Sequence, residues 1–91
     1  MIPVRETIGT VETKGLVCAV AAADAMCKAA KVEIMDFKKV GSQLVAVVVK
    51  GDVAAVTASV EAGREAAERI GEVYSAVVIA RPNEELEKLM R

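Results

Sequence analysis

The 91-residue sequence contains no histidine and no tryptophan. Without imidazole, histidine-based acid–base catalysis, phosphoryl relay and the usual zinc clusters are excluded. Phe37 and Tyr74 are the only aromatics, too few to stack bases as RNA-reading sheets do. Neither sign of charge prevails. Twelve Lys+Arg against 13 Asp+Glu leave a formal net charge of -1, so no broad basic field gathers nucleic acid or anionic lipid. Long hydrophobic runs are missing too. The longest uncharged apolar stretch, Leu16 to Ala23, is far short of the ~20 residues that span a bilayer. Met1-Ile2-Pro3-Val4-Arg5-Glu6 has neither the basic opening nor the apolar core of a signal peptide. These absences predict a cytoplasmic protein that engages no membrane and no nucleic acid.

Cysteine is confined to Cys18 and Cys27. They fall roughly 180° apart on one predicted helix, so they do not bridge each other and are expected as reduced thiols. Cys27 lies near the apolar stripe and reads as a small core residue; Cys18 faces away from it and reads as a contact residue. Neither has an imidazole to activate it or to share a metal. Gly9 and Gly15 are not spaced for a phosphate loop. Ser42, Ser59 and Ser75 show no neighbouring base in the sequence. No catalytic set, metal site or cofactor site is read, and the chain is not expected to be an enzyme.

What is abundant is apolar: 54% of residues, with a mean hydropathy of +0.38. A chain of this length forms one small domain, 1–91, and hides only about 60–65% of the surface its unfolded form exposes. The surplus apolar material favours an oligomer over a free monomer.

Hydrophobic spacing gives the order of elements. Val4–Thr13 reads as a β-branched strand in which Gly9 marks a close approach or a bulge. Gly15–Ala30 reads as a helix, with Leu16, Ala19, Ala23, Met26 and Ala30 on one face. Val32–Val40 alternates imperfectly, placing Ile34 on one side and Phe37 on the other. Gly41-Ser42 is a turn signal, and Leu44–Val49 is a continuous apolar strand. The two strands flank so short a turn that an antiparallel hairpin is expected. Asp52 is placed to cap a second helix carrying Val53, Val56, Val60, Gly63, Ala67 and Ile70 at three-four spacing, with Gly71 as its C-cap. Glu61, Glu65, Glu68, Arg64 and Arg69 form a solvated or inter-subunit charge pattern on it. Val73–Ala80 is a last strand, ended by Pro82. Asn83 then caps a short C-terminal helix with Leu86, Leu89 and Met90 as its stripe.

The resulting β-α-β-β-α-β order predicts an α/β (α+β sandwich) fold: a ferredoxin-like antiparallel sheet with two helices on one face, plus the C-terminal helix. The chain also repeats itself. Lys14-Gly15 and Lys50-Gly51 open the two helices at an offset of 50 − 14 = 36, and Val17, Ala19 and Val20 match Val53, Ala55 and Val56.

Five blocks carry a family resemblance. Val11-Glu12-Thr13-Lys14-Gly15-Leu16 is followed by Ala22-Ala23-Asp24-Ala25-Met26. Lys39-Val40-Gly41-Ser42 precedes Lys50-Gly51-Asp52-Val53, and Arg81-Pro82 closes the series. In this order and spacing, from Thr7 to Pro82, the chain resembles the single-domain, hexamer-forming shell proteins of bacterial microcompartments. The resemblance implies cyclic homo-hexamers that tile edge to edge with neighbouring hexamers and other shell proteins. It further implies contact with encapsulated enzymes through short targeting peptides, and a central pore for small polar metabolites. Lys39, Val40, Gly41, Ser42 and Gln43 correspond to the pore loop, with Gln43 standing where a small residue is expected. Lys28, Arg81 and Pro82 correspond to the hexamer edge, with Asn83 beside them and Lys31 adding positive charge to the rim. The residue pattern alone also fits a second class, a small-molecule-sensing regulatory module on the same scaffold.

Overall fold

The computed structural model describes residues 6–81. The expected C-terminal helix, with Pro82 and Asn83, lies outside them. Four strands and two helices follow in the order β1 (Glu6–Lys14), α1 (Leu16–Ala29), β2 (Glu33–Lys39), β3 (Leu44–Gly51), α2 (Val53–Glu68) and β4 (Val73–Arg81). The strands form one antiparallel sheet in the order β2-β3-β1-β4. The hairpin β2-β3 thus forms one half of the sheet and the terminal pair β1-β4 the other, joined between β3 and β1, as in a ferredoxin-like fold.

Both helices cover one face of the sheet. On β1, Thr7, Gly9, Val11 and Thr13 are buried against them while Ile8, Thr10 and Glu12 look the other way, half-buried. The core joins Val11, Val45, Val47 and Val49 of the sheet to Ala19, Ala22 and Met26 of α1 and Val56, Val60 and Ala67 of α2. Small side chains let the layers approach closely. A Cβ on Gly9 would run into Val56 and Val60, so this glycine serves close approach of α2 rather than a bulge. Gly63 plays the same part between the helices, where a Cβ would lie 2.5 Å from Met26 Cγ. Ser59, fully buried, donates its hydroxyl to the Met26 carbonyl at 3.1 Å and ties α2 to α1. Each fully buried valine contributes about 1.5–3 kcal/mol to holding these layers together.

The helices begin differently. Asp52 caps α2, its carboxylate accepting the Ala55 N–H at 2.9 Å. α1 has no side-chain cap: at the same place in the repeat stands Leu16, and the chain enters the helix through Gly15 at φ 87°. That left-handed value suits glycine and no β-branched residue.

Three expectations require correction. The buried face of α1 is Cys18, Ala19, Ala22 and Met26, so Cys18 is the core cysteine and Cys27 the exposed one, the reverse of the sequence reading. Leu16 stands 60% exposed. In a helix so rich in alanine, the apolar stripe does not distinguish the core-facing side from a neighbouring side that is equally apolar. Gly71 is not the C-cap of α2, a position held by Arg69 in αR geometry. Gly71 is small because the Cys18 thiol occupies the space a Cβ would need, and its N–H bonds the Ala67 carbonyl. Finally, Ile34 and Phe37 share a face. A bulge between Ile34 and Asp36 shifts the register so that Ile34 opposes Val49 and Phe37 opposes Val47, both buried on the helix side.

Candidate functional site

The β2–β3 turn is pinned at both ends. The Val40 N–H donates to the Leu44 carbonyl at 2.8 Å and closes the hairpin. The Gly15 N–H donates to the Gln43 carbonyl at 2.7 Å, fastening the turn to the start of α1. Lys39, Val40, Gly41, Ser42 and Gln43 are all exposed. A cleft of about 530 Å³ opens between this turn and α1, lined by Lys14, Gly15, Leu16, Lys39, Ser42, Gln43 and Val45. The structure therefore gathers the five turn residues at one end of the sheet. Lys14 joins them, a residue the sequence reading did not single out. Its signal was positional, since it immediately precedes the glycine that anchors the turn.

Lys28 stands at the opposite end of α1. The helix starts beside the turn, and Lys28 lies twelve residues beyond Leu16, about 18 Å along the axis at ~1.5 Å per residue. Its ammonium is exposed and pairs with Asp24 at 3.1 Å, one helical turn back. Lys31 is exposed just beyond the helix. Arg81 ends β4, paired in register with Glu6, at that same end of the sheet. Its side chain, like Pro82 and Asn83, lies outside the described part.

Ser75 does have a carboxylate neighbour that the sequence did not reveal: its hydroxyl donates to Glu12 Oε1 at 2.7 Å across the β1–β4 pair. Among the described residues, no third group hydrogen-bonds to this pair to extend it into a catalytic relay. On α2, Arg64 pairs with Glu68 at 3.1 Å. Among the described residues, no three His, Cys, Asp or Glu side chains are grouped to hold a metal, and no helix is long and apolar enough to cross a membrane.

Comparison with known proteins decides the family. Residues 7–82 match the BMC domain model. The chain belongs to the BMC-domain family. This BMC chain is 50% identical over 86 residues to the bacterial microcompartment shell protein PduA of Citrobacter freundii, covering 94% of this chain and 92% of that protein. It is 48% identical over 84 residues to the shell protein EutM of Escherichia coli K12, covering 92% and 87%. Identity to the carboxysome shell protein CcmK2 of Synechocystis is 51% over 85 residues, covering 91% and 82%. A solved microcompartment protein from Desulfitobacterium hafniense DCB superposes with a TM-score of 0.79 at 36% identity over 89% of this chain; the BMC chain spans 44% of that longer one. The BMC chain is a structural shell protein and not an enzyme.

Proposed function

We propose that this BMC chain is a tile of a microcompartment shell in the cytoplasm, a single domain spanning 1–91. Six copies close into a ring with the Lys39–Gln43 turns around a central opening. The observation that carries the reading is the exposed apolar surface on both edges of the sheet. The β2 edge shows Ile34, Met35, Phe37 and the adjoining Val40; the β4 edge shows Tyr74, Val77, Val78 and Ile79, the last 52% exposed. These two surfaces differ in sequence and lie on opposite edges. A contact between unlike patches is head-to-tail, and repeated rotation closes it into a ring.

The placement of the turn and Lys28 at opposite ends of α1 supports the radial assignment. α1 acts as a spoke with the pinned turn at its start and Lys28 near its end. With the turn at the axis, Lys28 and Lys31 fall toward the rim, with Arg81, Pro82 and Asn83 as their companions from β4. There they bond backbone carbonyls of the next disc. Gly41 and Ser42 leave a narrow opening with hydroxyls and N–H groups for small polar metabolites, and six-fold repetition turns one weak donor into a ring of six. The Gln43 amide narrows that opening.

The other partners in this reading are further shell proteins and short targeting peptides of encapsulated enzymes. The sensing-module alternative gains nothing from the relatives named above, which are shell proteins. The test is Lys28→Ala examined by electron microscopy beside the unaltered protein. The tile reading expects intact rings that no longer form sheets or tubes; unchanged sheets remove Lys28 from the edge.

A further inference from the structure

One end of the protomer gathers charges of both signs. There α1 and β3 finish, β1 and β2 start, and Glu6 lies in register with Arg81. Lys50 Nζ stands 3.6 Å from Glu6 Oε2 and 3.6 Å from Glu33 Oε1, so one half-buried ammonium serves two carboxylates. Lys28 is engaged with Asp24 at 3.1 Å. Lys31 makes no ion pair with any described residue. The Glu33 side chain is 73% exposed, and Lys50 keeps Glu6 when Glu33 turns away.

The backbone sets Lys31 and Glu33 side by side. Ala30 leaves α1 in extended geometry, and Val32 packs half-buried against the core. A Cβ on Gly51 would stand 3.4 Å from the Lys31 carbonyl and 3.5 Å from Val32 Cγ1, so the end of β3 runs close beneath this segment. With Val32 turned inward, its two exposed neighbours turn outward together, about 7 Å apart at ~3.3 Å per residue. A cation and an anion are thus held next to each other on the surface. Such a patch is self-complementary: two-fold rotation sets each charge over the opposite one.

We propose that Lys31 and Glu33 pair reciprocally with Glu33 and Lys31 of a second copy across the edge between neighbouring discs. The proposal rests on the tile reading, which puts this end of the protomer at the rim. Discs lying the same way up in a flat hexagonal array meet through two-fold axes, so every edge holds the pair twice. One exposed ion pair is weak. Repetition around the disc adds the weak contacts together, and a disc whose rim lacks either charge is a poorer neighbour. The pair therefore selects which shell proteins this tile accepts beside it.

The experiment compares the unaltered protein with Lys31→Glu and Glu33→Lys, using light scattering for ring mass and sedimentation with electron microscopy for sheets. Each variant should keep the ring mass and need about tenfold more protein before sheets pellet, because both contacts of an edge turn repulsive. Mixed in equal amounts, the two variants should pellet together at the concentration that suffices for the unaltered protein, since an all-acidic patch then faces an all-basic one. Raising NaCl from about 50 to about 500 mM should weaken sheets of the unaltered protein more than sheets of the neutral double variant Lys31→Gln/Glu33→Gln. Should Glu33→Lys misfold beside Lys50, Lys31→Glu and the salt comparison decide. Sheets unchanged in Lys31→Glu, a mixture of folded variants that fails to pellet, or an equal salt response would overturn the pair. A Glu33 that served only to hold Lys50 would give the first of these results. Ring mass keeps the two readings apart: intact rings whose sheets ignore the variants refute the pair alone, whereas an unaltered chain that stays at one or two copies refutes ring and pair together.

Discussion

Replacing Gly63 with alanine sets two effects against each other. In an isolated helix the change is favourable by about 1 kcal/mol, because alanine loses less backbone entropy. In this chain the added Cβ would lie 2.5 Å from Met26 Cγ, 2.9 Å from its sulfur and 3.3 Å from the Ala22 carbonyl. Met26 is fully buried, so it can move aside only by displacing its core neighbours. Overpacking of this kind costs about 1–3 kcal/mol, and here it falls on the α1–α2 contact that aligns the spoke. We therefore expect Gly63→Ala to destabilise by about 1 kcal/mol net, lowering Tm by about 4–8 °C for a chain of this size. Urea unfolding followed by circular dichroism at one fixed protein concentration measures it, since association adds to apparent stability. Met26→Ala alone should cost about 2–5 kcal/mol through the cavity it leaves. In that background Gly63→Ala should become neutral or stabilising, a coupling of about 1–2 kcal/mol. A stabilising Gly63→Ala in the otherwise unaltered chain, or an equal cost in both backgrounds, would refute the packing argument.

Ser59→Ala removes the only side-chain hydrogen bond among the described residues that joins the two helices, and a loss of about 1 kcal/mol in the same unfolding assay is expected. Phe37→Glu places a charge on the β2 edge, where the side chain is already 38% exposed in the single chain. The fold should survive by circular dichroism while the oligomer dissociates in sedimentation. Ser42→Phe should reduce solute leakage through assembled shells without altering their assembly; unchanged leakage would argue against the turn as the route.

The order of elements was legible because the relevant signals are local. Asp52 is the cap it resembles, the Gly41-Ser42 turn joins an antiparallel hairpin, and the β3 run Leu44–Val49 is central in the sheet. The orientation of α1 was not legible. Leu16, Val17 and Val20 are as apolar as a core yet exposed, Val17 by 75%, so spacing alone could not separate the side packed on the sheet from the side left uncovered. β2 misled for another reason: its bulge inserts one residue into a period of two, which reverses the facing of everything beyond it. The Ser75–Glu12 bond and the Gly15–Gln43 anchor join residues far apart in sequence, and no local pattern announces them. The turn residues of the candidate site were found through resemblance; their pairing with Lys14 in one cleft came only from the fold.

The central claim is a ring of six. Light scattering of the purified protein at low and high concentration tests it most directly. A particle of about 58 kDa, six times the 9.6 kDa chain, that grows into larger assemblies as concentration rises is the result the tile account predicts. A mass that stays at one or two chains across that range would contradict it.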